Sequence, residues 1–324
     1  MSFVIALGSG VVLTPIARAV GLLTRIVDRP DGGDLKIHRR PIPLTGGIAV
    51  VGAVAVTLGI LDRLPSPWIL GAIGLALTAG LADDVLSLPA TLRLMAQVGS
   101  GLLLVGGGLR LEALGILGAP AVVILAVVTT NAVNLIDGQD GLAGGLGTVA
   151  ALGLAPLLAW QGEGAGVALA LATAGALAGF LVLNRPPARI FLGNGGAYAL
   201  GVLLAALVGS LGAHGWRALL AAALCLGVFA FELLFTVARR LVARRPMAGG
   251  DRGHSYDVIA LRTGDRLTST LLLVAVGITS AALALVVGRI PLAPGAAIVL
   301  ASSAGAVMWG RRLLAASRRR LHAT

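Results

Sequence analysis

Eleven apolar segments follow one another along almost the whole chain, and they restrict the fold more than any other feature. Hydrophobic residues make up 57% of the 324 residues and charged residues only 12%, whereas a soluble domain carries about 25% charged residues. A helix of about 20 apolar residues crosses the hydrocarbon core of a bilayer. The sequence therefore excludes a soluble globular enzyme and predicts an all-α integral membrane protein, one domain over 1–324 with ten or eleven transmembrane helices. The predicted helices cover residues 2–24, 44–61, 67–83, 94–109, 117–135, 142–160, 164–183, 193–213, 216–238, 267–287 and 291–309.

The basic residues are divided unevenly between the two sides that these helices would define. Twenty of the 25 lysines and arginines lie in loops after odd-numbered segments or in the C-terminal tail. Because basic residues accumulate in cytoplasmic loops, we expect the N-terminus outside and the C-terminus in the cytoplasm. Residues 239–266 would then form a cytoplasmic loop with a histidine, and 311–324 a basic cytoplasmic tail. Topology and anionic lipid account for the net charge of +11, so no nucleic-acid partner is expected.

Acidic residues gather on the same predicted cytoplasmic side, which the topology does not require. Ten of the eleven aspartates lie there, although carboxylates contribute little to the orientation of a membrane protein. Asp83 and Asp84 directly follow an apolar segment, and two adjacent carboxylates repel each other unless a cation or a proton intervenes.

A second acidic motif ends the fifth apolar segment. Asn131, Asn134 and Asp137 recur every three residues and would share much the same helix face. Glycines at 138 and 141 break the helix and allow a ligand to approach the backbone. A polar face on an otherwise apolar helix indicates polar partners or a water-filled cavity.

Basic side chains accompany these acids on the same side. They are Lys36, which opens the run Lys-Ile-His-Arg-Arg, Arg93 after the acid pair, and Arg252 beside His254 in the histidine loop. Acids that can hold a divalent cation, together with arginines that can hold phosphate oxygens, are typical of phosphoryl transfer.

These motifs resemble those of the polyprenyl-phosphate N-acetylhexosamine-1-phosphate transferases, and they occur along the chain in the same order as in that family. They are the Lys-x-His and Pro-x-x-x-Gly-Gly entry from Lys36, the acid pair, Asn-x-x-Asn-x-x-Asp-Gly-x-Asp-Gly-Leu over 131–142, Phe-Leu-Gly from Phe191, and the histidine loop. The resemblance implies transfer of a sugar-1-phosphate from a UDP-N-acetylhexosamine to polyprenyl (undecaprenyl) phosphate, with release of UMP. It also implies dependence on Mg²⁺, with Mn²⁺ as a substitute, and an active site on the cytoplasmic face of the inner membrane. The product would be a polyprenyl-diphosphate-linked sugar for cell-envelope polysaccharides such as O-antigen.

The same resemblance implies roles for individual residues. The expected catalytic residues are Asp83 and Asp84 beside the lipid phosphate, Asp137 at the metal–diphosphate centre, and His254 on the diphosphate. The expected substrate-binding residues are Lys36, Arg93, Asn134, Asp140, Asn184, Phe191 (stacked on uracil) and Arg252. The expected metal ligands are Asp137 and the residue at position 194.

Two departures from the family pattern carry consequences. Asn194 stands where the family has an aspartate that ligates Mg²⁺, so the site has one negative charge fewer. The histidine loop has Ser, Tyr and Asp after His254 where the family usually has further histidines. The shorter histidine motif favours the GlcNAc-1-phosphate branch over the phospho-MurNAc-pentapeptide branch.

Two alternatives stay open at this stage. A catalytically impaired homologue that binds UDP-sugar or lipid phosphate would explain Asn194. A transporter or flippase would need ionisable residues near the membrane midplane and internal repeats. Apart from Asp83 and Arg217 at helix ends, Arg18 and Glu232 are the only charges inside predicted helices, so the transporter is the weaker alternative. The amino sugar, the polyprenol length, the oligomeric state and a one-step or two-step mechanism are also open.

Overall fold

The computed structural model describes residues 1–30, 40–246 and 252–321, with side chains described as far as residue 315. Over these residues the chain is a bundle of α-helices with one two-stranded antiparallel ribbon, in which Val27–Asp28 (β1) pairs with Ile42–Pro43 (β2). Two 3₁₀ turns, Glu112–Leu117 and Gly212–His214, join helices. The helices are Ser2–Thr24 (α1), Gly46–Ile60 (α2), Pro67–Leu86 (α3), Ala90–Gly106 (α4), Gly118–Ile136 (α5), Leu142–Trp160 (α6), Gly164–Asn184 (α7), Gly193–Leu211 (α8), Gly215–Cys225 (α9), Gly227–Val242 (α10), Ser255–Thr263 (α11), Arg266–Val287 (α12) and Leu292–Leu321 (α13).

The prediction of an all-α polytopic membrane protein is confirmed. Within the described ranges, eight helical segments are long and apolar enough to cross a membrane, and α2 and α4 are shorter apolar helices. The count of ten or eleven spans and the orientation of the termini stay predictions.

Helix α8 lies at the centre of the bundle and is buried along almost its whole length, packed against α2, α3, α5 and α6. Glycines allow these close approaches. A Cβ at Gly47 of α2 would collide with the backbone of Gly196, and one at Gly80 of α3 would collide with the backbone of Asn194. Small residues at such crossings let helix backbones approach closely inside a membrane protein. The N-terminus of α8 is therefore held against the start of α2 and the last turns of α3.

The predicted single helix over 216–238 is wrong, because the structure divides it into α9 and α10 at Leu226. The carbonyl of Leu224 accepts a 2.7 Å hydrogen bond from the hydroxyl of Ser280 on α12. A broken helix is tolerated in a membrane where side chains satisfy the backbone groups that the break leaves. Helix α10 is therefore separate from α9, and it continues to Val242, beyond the predicted end at residue 238.

Two predicted loops also contain more helix than expected. The histidine loop over 239–266 includes the end of α10 and all of α11. The predicted tail from residue 311 begins as a continuation of α13. This helix has 30 residues, which corresponds to about 45 Å against a hydrocarbon core of about 30 Å.

The bundle brings the predicted outer loops together at one end. The carboxylate of Glu163 accepts a 3.1 Å hydrogen bond from Nε2 of His214. The guanidinium of Arg289 lies 3.9 Å from the ring centre of Trp160. Helix α6 ends at Trp160 and begins beside the acidic motif over 131–142. Because 19 helical residues span about 28 Å, the outer-loop residues and the acidic motif occupy opposite ends of the molecule.

Candidate active site

The acid pair lies in the last turn of α3, and its two carboxylates face different partners. Asp83 accepts hydrogen bonds from the backbone N–H of Leu88 (2.8 Å) and from the hydroxyl of Tyr198 (2.9 Å). The guanidinium of Arg93 lies 3.7 Å from the same carboxylate, with a third of its side chain exposed. The predicted basic residue and the acid pair are therefore brought together, and Tyr198 is a partner that sequence reasoning missed.

Asp84 binds the N-terminus of the central helix. Its two oxygens accept hydrogen bonds from the backbone N–H groups of Asn194 (3.0 Å) and Gly195 (3.2 Å). The first amides of a helix are unpaired and carry partial positive charge, so they favour a carboxylate. Gly193 has a φ of +73°, and a Cβ there would meet the Asp84 carboxylate at 2.8 Å. The glycine therefore allows the acid to reach this helix end.

The motif at the end of α5 meets the same helix terminus. The amide of Asn134 donates a 2.7 Å hydrogen bond to Oδ1 of Asn194. Asp137 follows the last residue of α5, and the backbone of Gly193 donates to it. Asn131 lies apart, because its amide donates to Gln97 Oε1 on α4 and to the Val127 carbonyl, each at 2.8 Å. Asn134 and Asp137 are thus brought to the centre, whereas Asn131 is held within the bundle.

The carboxylates in this centre repel one another. Burial is the main cause that raises the pKa of Asp137 well above its usual range, and the negative charges of Asp84 and Asp140 add to it. The hydrogen bond from Gly193 opposes these effects only in part. A cation placed among these acids would favour their ionised forms.

The donor types fit Mg²⁺ or Mn²⁺. Asp137 offers carboxylate oxygen, and Asn194 offers an amide oxygen that keeps a second lone pair beside the bond from Asn134. No group of three or more His, Cys, Asp or Glu side chains that could hold a metal occurs within 1–30, 40–246 and 252–321. Mg²⁺ is commonly bound by one or two carboxylates together with substrate phosphates. These residues therefore suit a metal that binds together with a diphosphate better than a metal held by protein ligands alone.

Asp140 and Asn184 hold the loop between α7 and α8. The Asp140 carboxylate accepts a 2.9 Å hydrogen bond from the backbone of Ala188. Asn184 is 4% exposed, accepts from the N–H of Gly141 (3.1 Å) and donates to the carbonyl of Ile190 (2.9 Å). Both side chains therefore bind backbone groups of the loop, Asp140 at Ala188 and Asn184 at Ile190. Their predicted contacts with the nucleotide stay predictions.

Phe191 is fixed through its backbone. Its N–H donates to the carbonyl of Pro43 (2.8 Å), and its own carbonyl accepts from the N–H of Gly46 (3.0 Å). The half-buried residue therefore joins β2 and the start of α2 to the loop before α8. The predicted stacking on uracil is untested. Lys36 lies outside the described residues.

The histidine loop docks on the end of α5. The rings of His254 and Tyr256 stack, with centres 5.1 Å apart and planes within 5° of parallel. The Tyr256 hydroxyl donates to the Leu135 carbonyl at 3.2 Å and occupies the space that a Cβ at Gly138 would need. His254 is thus brought beside the Asn–Asp motif although about 120 residues separate them in sequence. Tyr256 is a second partner that the sequence reasoning missed.

Arg252 belongs to a neighbouring group at the junction of α11 and α12. The carboxylate of Asp257 lies 3.5 Å from the guanidinium of Arg252 and 3.5 Å from that of Arg266. These three side chains line a cavity of about 380 Å³. Burial raises the pKa of Asp257, and the positive charges of Arg252 and Arg266 oppose that shift. Asp265 also lines the cavity, so two carboxylates balance its two guanidinium groups.

Glu232 on α10 is a buried residue to which sequence reasoning assigned no role. It is 1% exposed, and its carboxylate accepts from His254 Nδ1 (2.9 Å), from the Thr236 hydroxyl (3.1 Å) and from the N–H and hydroxyl of Ser255. Its position inside an apolar segment was the available signal, since ionisable residues within a membrane are costly and usually functional.

The fold and this centre define a polytopic membrane protein with an acid–amide site at one end of its helical bundle. Comparison with known proteins narrows this class, since residues 66–212 match the model of glycosyl transferase family 4. The chain belongs to this family. It is 31% identical over 266 residues (80% of this chain, 81% of the relative) to the undecaprenyl-phosphate alpha-N-acetylglucosaminyl 1-phosphate transferase of Thermotoga maritima.

Two further relatives represent two branches. The chain is 29% identical over 272 residues to the probable undecaprenyl-phosphate N-acetylglucosaminyl 1-phosphate transferase of Bacillus subtilis, covering 79% of this chain and 75% of the relative. It is 36% identical over 203 residues to the phospho-N-acetylmuramoyl-pentapeptide-transferase of Moorella thermoacetica, covering 54% and 63%. The GlcNAc-1-phosphate relatives match over the longer part of the chain, and the resemblance found in the motifs is confirmed.

Proposed function

We propose that the chain transfers N-acetylhexosamine-1-phosphate from a UDP-sugar to undecaprenyl phosphate and releases UMP. The observation that carries this proposal is the convergence of Asp84, Asp137 and Asn134 on the N-terminus of α8. Family membership and the names of the relatives support the same reaction. Carboxylates, helix amides and a nearby guanidinium supply the positioning and charge balance on which phosphoryl transfer depends.

The reaction joins a lipid phosphate oxygen to the β-phosphorus of the UDP-sugar. The bond from that phosphorus to the bridging oxygen breaks, and UMP leaves with that oxygen. Arg93 lies beside Asp83 and suits the acceptor phosphate. Its guanidinium can offset the negative charges of the lipid phosphate and of the UDP-sugar diphosphate as the two approach each other. Asp83 is kept in place by Tyr198 and by the backbone of Leu88. His254 suits the diphosphate, since the histidine loop docks beside the end of α5.

We further propose that Mg²⁺ or Mn²⁺ is required, held by Asp137 and the amide oxygen of Asn194. When bound, the metal supplies charge neutralisation on the diphosphate. Asn134 would orient the amide of Asn194 through the 2.7 Å bond between them.

The proposed location is the cytoplasmic membrane, with the site on the cytoplasmic face, the N-terminus outside and the C-terminus inside. Twenty of the 25 basic residues fall on the side of the acidic motifs, and cytoplasmic loops are enriched in such residues. A nucleotide sugar is a cytoplasmic substrate, and the lipid acceptor can reach a site at this interface from the bilayer.

UMP release by the purified protein in detergent tests the reaction. The assay contains undecaprenyl phosphate, Mg²⁺ or Mn²⁺, and one UDP-N-acetylhexosamine at a time. We expect release that depends on both lipid and metal, with UDP-GlcNAc the best donor. Asp137→Asn should abolish release, whereas Asp62→Asn, an exposed carboxylate at the opposite end, should keep it. Binding of UDP-sugar without release from any donor would instead support the catalytically impaired homologue.

A further inference from the structure

Glu232 and His254 form a buried carboxylate–imidazole pair, and the proposed reaction gives Glu232 no role. Glu232 is 1% exposed and His254 6% exposed, and Oε1 of the glutamate lies 2.9 Å from Nδ1 of the histidine. The two residues come from different elements, since Glu232 lies in α10 and His254 immediately precedes α11.

The hydrogen-bond donors around Glu232 favour its ionised form. The N–H and hydroxyl of Ser255 and the hydroxyl of Thr236 all reach this carboxylate. A deprotonated carboxylate only accepts hydrogen bonds, and a buried carboxylate is tolerated when it is paired and hydrogen-bonded. The glutamate also lies at the N-terminus of α11, where negative charge is favourable.

An acceptor-only partner determines which histidine nitrogen carries a proton. Nδ1 lies 2.9 Å from Oε1 of the carboxylate and 3.3 Å from the Thr236 hydroxyl, which itself donates to Oε1. Because an ionised carboxylate cannot donate, Nδ1 carries a proton in both the neutral and the cationic ring. The 2.9 Å contact between Nδ1 and Oε1 of Glu232 fixes the side of the ring that faces the carboxylate. Stacking on Tyr256 limits rotation of the ring out of this arrangement.

We propose that Glu232 is a positioning residue for the transfer reaction, which holds the His254 ring in one orientation with Nδ1 protonated. The proposal rests on the proposed function for its catalytic consequence. The break at Leu226 separates α10 from α9, and α10 carries the buried carboxylate to the histidine loop. The loop keeps one histidine of the family motif, and Ser255 and Tyr256 instead help to hold it.

Kinetics of Glu232→Gln test the catalytic part. Loss of the partner that orients a metal-ligating histidine typically reduces activity about 10- to 100-fold. By analogy, we expect kcat to fall by about that factor, with KM for the UDP-sugar changed less than about threefold. If Glu232 acts through His254, the double variant with His254→Gln should lose no more than His254→Gln alone. Losses that multiply would indicate a purely structural role and overturn the proposal.

The chain offers a matched control in its second glutamate–histidine pair. Glu163 and His214 lie 3.1 Å apart at the opposite end of the bundle. Glu163→Gln removes the same kind of partner from a histidine and should leave kcat unchanged.

A spectroscopic arm keeps the proposal falsifiable if Glu232→Gln does not fold or the wild type releases no UMP. The chain has four histidines, and ¹⁵N-imidazole labelling with His254→Gln assigns the signal of interest. In the wild type, Nδ1 of His254 should have the shift of a protonated nitrogen, and Glu232→Gln but not Glu163→Gln should alter it. An unprotonated Nδ1 in the wild type would overturn the proposal. Absence of UMP release would overturn the proposed function alone.

Discussion

The side-chain amide of Asn134 donates a 2.7 Å hydrogen bond to Oδ1 of Asn194. This contact joins the end of α5 to the first turn of α8 at the position where the family has an aspartate. An aspartate would accept the same hydrogen bond, so the substitution changes the charge of the centre and leaves this contact possible.

Asn194→Asp should therefore fold as the wild type does and bind the metal more tightly. A hard cation prefers carboxylate to amide oxygen. We therefore expect the Mg²⁺ concentration for half-maximal UMP release to fall about tenfold, and the rate of UMP release at saturating Mg²⁺ to change less. Titration of UMP release with Mg²⁺ measures this. Asn131→Asp, one turn before Asn134 on α5 but bonded to Gln97, should leave the half-saturating concentration unchanged. A large gain at saturating Mg²⁺ would instead mean that Asn194 impairs the catalytic step.

Asn184→Ala should lower stability and weaken nucleotide binding together. The asparagine satisfies backbone groups of Gly141 and Ile190, and leaving buried groups unpaired costs about 1–3 kcal/mol. Because the loop to Phe191 depends on these bonds, KM for the UDP-sugar should rise. Thermal unfolding in detergent and steady-state kinetics measure both effects. Thr173→Val on the same helix, which loses only a bond to Leu169, is the control. A raised KM with unchanged stability would indicate direct contact with the nucleotide.

Gly47→Ala should destabilise the protein because the added Cβ would collide with Gly196 on α8. Overpacking of this kind costs about 1–3 kcal/mol, and it would separate α2 from the terminus that holds Asp84. Gly59→Ala on the same helix meets no atom within 4 Å and should be neutral or stabilising by about 0.5–1 kcal/mol. The two unfolding temperatures, measured in one detergent, make the comparison. Equal unfolding temperatures would contradict the close crossing of α2 and α8.

Stability should depend on pH through Asp137 when divalent metal is removed with EDTA. Burial and neighbouring carboxylates raise its pKa in the folded state above 3.8. The folded protein then binds more protons than the unfolded chain between pH 3.8 and the folded pKa, so stability should fall as the pH rises through that range. Asp137→Asn should flatten this slope, and Asp62→Asn should not. Thermal unfolding from pH 4.5 upward measures the effect, and a slope identical in wild type and Asp137→Asn would refute the explanation.

Local pattern was sufficient for the fold class and for the choice of candidate site residues, several of which the structure brings together. Apolar runs specify membrane helices from composition alone, and the spacing of Asn134 and Asp137 places them about one turn apart at the end of α5. The resemblance of these motifs to a transferase family also came from short stretches of sequence. It pointed to Arg93 as a basic residue that follows the acid pair, and the Arg93 guanidinium lies 3.7 Å from the Asp83 carboxylate.

Tertiary structure decided the partners of those residues. Asp84 and the helix terminus that it binds are 110 residues apart, and Glu232 meets His254 across the histidine loop. A run of apolar residues also conceals a break such as the one at Leu226, because the bond from Ser280 that satisfies the backbone comes from another helix. Helix periodicity reports only neighbours three or four residues away. The sequence by itself thus determined a membrane bundle with a clustered acidic motif, and packing of distant helices determined which donor each carboxylate meets.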